Sequence, residues 1–143
     1  MTIRLPEIAC VLVYGVGRDA ASALAGRLFS ADEILDMHEH SAQALTQEVA
    51  ARAAAGQMTC IVEAGAPPRA HRLRVALAST ARDNYVRRFG ILMPDAVSRE
   101  PRIEARLKAD GYREVFTVAE RELETVRLER QRLPTDRRHE AGP

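Results

Sequence analysis

Residues 8–14 read IACVLVY and stop at Gly15. An apolar run of that length with no polar interruption suits a strand covered on both faces, the interior strand of a sheet with helices above and below. A second run of the same kind, MTCIVEAG at 58–65, carries the acid Glu63 near its end. Helical stretches separate such runs. The pattern predicts helices over 19–28, with Asp19 a candidate cap, and over 40–55, stopped by Gly56. It predicts another over 69–83, after Pro67 and Pro68, and one over 99–110, anchored by Ile103 and Leu107 and stopped by Gly111. Further strands are expected over 33–36, 85–93 and 112–118, and a last helix over 119–130. Strand and helix alternate, so the class is α/β, three-layered, with a mainly parallel sheet of four or five strands. The 143 residues fit one domain, residues 1–143.

Charge and composition exclude several functions. The net charge is +1, so no global basic field announces nucleic acid. No apolar run approaches the ~18–20 residues of a membrane helix, and the start of the chain lacks the parts of a signal peptide. Cys10 and Cys60 both sit inside apolar runs and read as small buried hydrophobes in a reducing compartment. The expectation is a cytoplasmic protein with no membrane partner. Of 21 basic residues only one, Lys108, is a lysine.

In an α/β sheet, ligands bind beyond the carboxyl ends of the strands, which directs attention to the turn after the first run. A phosphate-binding loop there reads G-x-x-x-x-G-K-[ST], its N–H groups cradling phosphate, its lysine neutralising it and its hydroxyl holding magnesium. The same register here is Gly15-Val16-Gly17-Arg18-Asp19-Ala20-Ala21-Ser22. Gly15 and Ser22 match and Gly17 adds a second glycine to the turn. Ala20 replaces the second motif glycine, Ala21 replaces the lysine, and Asp19 brings a negative charge. Gly15, Gly17 and Ser22 are therefore the candidate phosphate contacts, with Glu63 as a residual magnesium-water contact. The plainer reading is a tight strand-to-helix turn, with Glu63 capping Gly65 or pairing with an arginine.

Other clusters have equally plain alternatives. Asp36-Met37-His38-Glu39-His40 has metal-ligating letters, but His38 and His40 are two apart and further convergent ligands are missing, so no metal is expected. Arg69, Arg72, Arg74, Arg82, Arg87 and Arg88, with Tyr85 and Phe89, form either a nucleic-acid surface or a solvated face. Arg99, Arg102 and Arg106 share a face of the expected 99–110 helix, an acceptor-phosphate surface or partners for Glu100, Glu104 and Asp110.

Five blocks together carry a family resemblance: LPEIACVLVYG (5–15), FSADEILDMHE (29–39), AAGQMTCIVEAGAPPRA (54–70), LKADGYREVFTV (107–118) and LPTDRRHEAGP (133–143). In that order the chain resembles the kinase domain of bacterial polynucleotide kinase-phosphatase RNA-repair proteins. The last block, DRRHE followed by GP, is its most specific part. The resemblance implies a P-loop NTPase-like fold, ATP and magnesium as cofactors, and a 133–143 tail like the linker into a phosphatase module. The chain stops at Gly142-Pro143, where that module would start, so a longer continuation carrying the activity is one expectation.

The family's catalytic letters mostly fail to match. Its loop lysine falls on Ala21, its base aspartate on His38, its acceptor-binding arginine on Ser41, and its DATN on Glu63-Ala64-Gly65-Ala66. The segment after Pro94 that carries its lid arginines is shortened. Phosphoryl transfer depends on positioning and on neutralising phosphate charge. The resulting expectation is a catalytically degenerate domain with no catalytic residue and no cofactor, binding ATP and magnesium only if the altered loop still holds them. Its role would be interaction or regulation, with a phosphatase or RNA-repair protein as partner. The alternatives are a nucleotide-binding protein or polynucleotide 5′-hydroxyl kinase with a rebuilt site, and a nucleic-acid-binding module.

Overall fold

A computed structural model describes residues 1–65 and 70–131. Five strands form a parallel sheet: β2 (Ala9–Gly15), β3 (Ile34–Asp36), β4 (Thr59–Ala64), β5 (Arg87–Leu92) and β6 (Glu114–Thr117), in spatial order β3-β4-β2-β5-β6. Every residue of β2 and β4 is buried, as unbroken apolar runs require. One face of the sheet turns Val11, Val13, Cys60, Val62 and Phe89 toward α1 (Arg18–Leu28). The other turns Cys10, Leu12, Tyr14 and Ile61 toward α2 (Ala42–Ala54), α3 (Ala70–Asp83) and α5 (Ile103–Asp110). Cys10 and Cys60 are free thiols on neighbouring strands that face opposite layers. Burial pushes the Cys10 thiol up to about 12 and the Cys60 thiol well above its ordinary value, so neither is a ready nucleophile.

Three segments differ from the sequence expectation. The expected 99–110 helix is shortened to α5, and a separate helix, α4 (Pro94–Arg99), precedes it. Pro94 does not merely end a strand; it occupies the first turn of α4, where its missing N–H costs nothing, and Pro101 lies between the two helices. Arg99 is therefore on α4, apart from Arg106, which pairs with Glu100 at 2.5 Å. The 119–130 segment is not a helix. After a 3-10 turn at Glu120–Glu122 it becomes β7 (Arg127–Gln131), parallel to a strand β1 (Thr2–Pro6) that was not expected. β1 alternates, with Ile3 and Leu5 buried and Arg4 facing water, while Val126, just before β7, is buried and Leu128 is half-buried between exposed Arg127 and Glu129. This two-stranded ribbon packs on the α1 side of the sheet. Arg27 of α1 donates to the carbonyls of Leu123, Glu124 and Val126, and Arg130 makes a two-armed pair with Glu33. That arginine holds the Glu33 carboxyl down at about 2.

Asp19 is not the cap of α1; Gly17 is, and Asp19 lies in the first helical turn, where an acid suits the helix dipole. No helix among the described residues is long and apolar enough to cross a membrane. The 133–143 block, Ala66, Pro67, Pro68 and Arg69 lie outside the described residues.

Candidate functional site

The carboxyl ends of β2, β4 and β5 meet the N-terminus of α1, and the turn there is short. Only Val16 and Gly17 separate β2 from α1. The stretch that aligns with a phosphate loop is thus mostly helix. Ala21 is fully buried, on the face of α1 that packs with Leu24, Ala25 and Leu28. Ser22 lies in the second turn and is exposed, whereas Glu63 is buried on β4. Gly15 is explained by packing: a Cβ there would sit 2.8 Å from Met93 Cγ and 3.3 Å from Ala21 Cβ. Gly17 has φ −83° and room for a side chain, so neither backbone nor packing demands glycine.

Two N–H groups of this turn are already bonded. The Asp95 carboxylate, in the first turn of α4, accepts from Val16 N at 3.1 Å and Gly17 N at 3.0 Å. Arg18, the first residue of α1, donates to Asp36 Oδ2 at 2.9 and 3.2 Å and to Glu39 Oε1 at 3.0 Å. Asp36 also accepts from the His38 backbone N–H, and His38 Nε2 accepts from Ala64 N at 3.0 Å. Asp36, His38 and Glu39 are thereby used in joining β3, β4 and α1. Among the described residues no cluster of three or more His, Cys, Asp or Glu is arranged to hold a metal. A cleft of about 490 Å³ beside the turn is lined by Val16, Pro94, Asp95, Ser98, Arg99 and Glu120.

Replacing the clasp carboxylate tests its role. Asp95→Ala leaves two N–H donors without a partner, at a cost of about 1–3 kcal/mol. Inorganic phosphate should then restore part of the lost thermal stability in the variant and leave the wild type unchanged. Identical melting of both proteins without phosphate would show that the clasp contributes nothing.

Glu63 is held by an arginine from the segment that the sequence offers as either a nucleic-acid surface or a solvated face. Arg74 of α3 is buried, with Nε 3.2 Å from Glu63 Oε1 and Nη1 3.5 Å from Asp110 Oδ2. Its guanidinium also lies 5.5 Å from the centre of the Tyr14 ring. Asp110 reaches His71 Nδ1 at 3.2 Å. So Asp110 pairs with Arg74 rather than with the arginines of its own segment. One buried cation faces two buried carboxylates, and the excess charge has a predictable effect. Burial pushes Glu63 up from 4.5 to about 7, with Arg74 opposing and Asp110 and Glu100 reinforcing the rise.

The raised value fixes a sign. Between pH 4.5 and 7 the native state holds a proton on Glu63 that the unfolded chain has released, so stability falls as pH rises. The expected decline from this group is roughly 1 kcal/mol per pH unit from pH 5 to 7. Glu63→Gln, which keeps the neutral shape, should flatten that part of the curve in urea titrations at successive pH values. An unchanged slope would place the proton elsewhere.

The solved structures similar to this chain speak to its fold. A de novo designed protein of the PLOOP2X3_50 fold, solved in solution by NMR, matches with a TM-score of 0.58 at 16% identity, over 81% of this chain and 85% of that one. The crystal structure of APE1195 matches with a TM-score of 0.45 at 14% identity, over 78% of this chain and 86% of that one. No protein-family model matches the chain, and no curated protein matches it significantly. With its parallel five-stranded sheet between two layers, the chain has a three-layer P-loop NTPase-like α/β fold.

Proposed function

We propose that the chain is a catalytically degenerate polynucleotide-kinase-like domain that keeps the P-loop architecture and acts by interaction or regulation. The observation that carries this reading is the Asp95 clasp on the Val16 and Gly17 N–H groups. A carboxylate occupies two N–H donors of the turn, and its negative charge at the start of α1 repels phosphate oxygens. The motif's own lysine is replaced as well. Ala21 is sealed in the core, and Lys108 pairs on α5 with Glu104 at 3.7 Å. His38 would make a poor base for a 5′-hydroxyl, because its Nε2 is already accepting a hydrogen bond. The family resemblance makes a phosphatase or RNA-repair protein the proposed partner.

A second reading, a nucleotide-binding domain with a rebuilt site, rests on Arg99, which lines the cleft beside Val16. Two measurements separate the readings. The degenerate domain gives no binding heat with magnesium-ATP at millimolar concentration and transfers no label to a 5′-hydroxyl oligonucleotide. Binding heat that Arg99→Ala abolishes establishes the rebuilt site instead, and magnesium-dependent label transfer overturns the non-catalytic reading.

A further inference from the structure

The opposite, N-terminal end of the sheet has a surface that the loop chemistry does not use. Because the strands are parallel, Arg87, which pairs with Ala9 at the start of β2, is at the far end from Gly15. A cleft of about 360 Å³ there is lined by Arg87, Arg88, Phe89, Arg113 and Glu114. The Arg87 guanidinium lies 5.4 Å from the centre of the Phe89 ring. Arg88 is fixed by donating to the carbonyls of Gly111 and Val86, both at 3.1 Å. Burial, and then Arg113 and Arg82 close by, hold Arg88 below the usual arginine range. Arg87 and Arg113 have no carboxylate within 4.0 Å among the described residues, and Arg82 has only Asp83, at 3.7 Å. Glu114 is the acidic residue in the lining. The basic 69–88 segment is thus divided: Arg74 is buried, while Arg82, Arg87 and Arg88 are joined by Arg113 from the next strand.

Tyr85, two residues before Arg87, is the second observation. The end of α3 has paired closing bonds, Val86 N to Ala81 O and Tyr85 N to Arg82 O, both 2.9 Å. That geometry puts Tyr85 in the left-handed region, φ +61°, at the position helices usually give to glycine. The residue is also 85% exposed. Neither the backbone nor the core explains a tyrosine here, whereas an exposed aromatic two residues before an arginine-lined cleft is what a nucleobase chain with phosphates fits.

We infer that the N-terminal end of β5 and β6 binds single-stranded nucleic acid, with Arg82, Arg87 and Arg113 on phosphates and Tyr85 stacked on a base. This goes beyond the reading of the nucleotide turn and does not depend on it. A flexible single strand can place a base on Tyr85 and a phosphate in the neighbouring cleft, while a stacked duplex cannot offer both.

Fluorescence anisotropy with labelled oligo(U) and oligo(dT) single strands, and a duplex of equal length, tests the inference on the full chain. The single strands should bind with a Kd of about 1–100 μM at low salt, and the RNA and DNA arms show which sugar the surface prefers. Tyr85→Gly relieves the backbone and should raise the Tm by about 2–4 °C, yet weaken single-strand binding about fivefold or more. Arg87→Ala/Arg113→Ala should lower the slope of log K against log salt by about 1.4. No binding at low salt, equal affinity for the duplex, or affinity untouched by Tyr85→Gly overturns the proposal.

Discussion

Arg74→Met should cost about 3–5 kcal/mol at pH 8, the range for breaking a buried ion pair from one side. Methionine fills the space of the aliphatic stem, so the loss is not mainly a cavity. What it removes is the cation between Glu63 and Asp110, whose side chains are 0% and 5% exposed. Two carboxylates then remain in a dry site, and the imidazole of His71, largely exposed, is the side chain left beside Asp110. The Tyr14 ring also loses its cation. The pH dependence distinguishes this from ordinary repacking. Without Arg74 the Glu63 carboxyl loses the group that opposes its raised pKa, so the native state keeps a proton there that the unfolded chain releases, and stability falls further with pH. The deficit against wild type should therefore shrink toward pH 5. Adding Glu63→Gln to Arg74→Met should recover part of it at pH 8. Urea denaturation followed by circular dichroism at the two pH values reads all of this. A deficit under about 1 kcal/mol at pH 8, or one that does not vary with pH, would rule out a charge-bridging role for Arg74.

Which parts of this were legible beforehand follows from the range of the forces involved. The buried strands β2 and β4, the helices between them and the parallel α/β architecture are written in local hydrophobic period, and they lie within a residue or two of expectation. The β1–β7 ribbon was not legible because its ends are more than 120 residues apart and its alternation is interrupted by charges that look helical. The plainer alternatives for Glu63 were capping Gly65 and pairing with an arginine; the second names the contact that exists, but not which arginine. Arg74 looked like one member of a basic face because sequence spacing does not say which side of α3 points inward at Tyr14. Asp95 was overlooked entirely. Its one local signal is an acid just after a proline at the end of a strand, and its meaning depends on β5 lying beside β2.

The same short turn decides what happens when the missing lysine is put back. By letters alone Ala21→Lys restores the phosphate motif. In this backbone it buries an ammonium group. A true loop is long enough for the lysine to stand at the helix start, near the cradle; here α1 already begins at Arg18, and position 21 faces the core with 0% exposure. The Ala21 Cβ is within 3.3 Å of where a Gly15 Cβ would be, so the longer side chain also has no slack beside β2. Desolvating an unpaired charge costs several kcal/mol and overpacking adds about 1–3 kcal/mol. The sum approaches the whole stability of an ordinary domain, about 5–15 kcal/mol. The Tm of Ala21→Lys should fall by about 10 °C or more, with no gain of magnesium-ATP binding by calorimetry. If the variant melts with the wild type and binds ATP, the lysine has found the cradle, the turn must open by several residues, and the Asp95 clasp is a removable latch rather than a replacement for the phosphate.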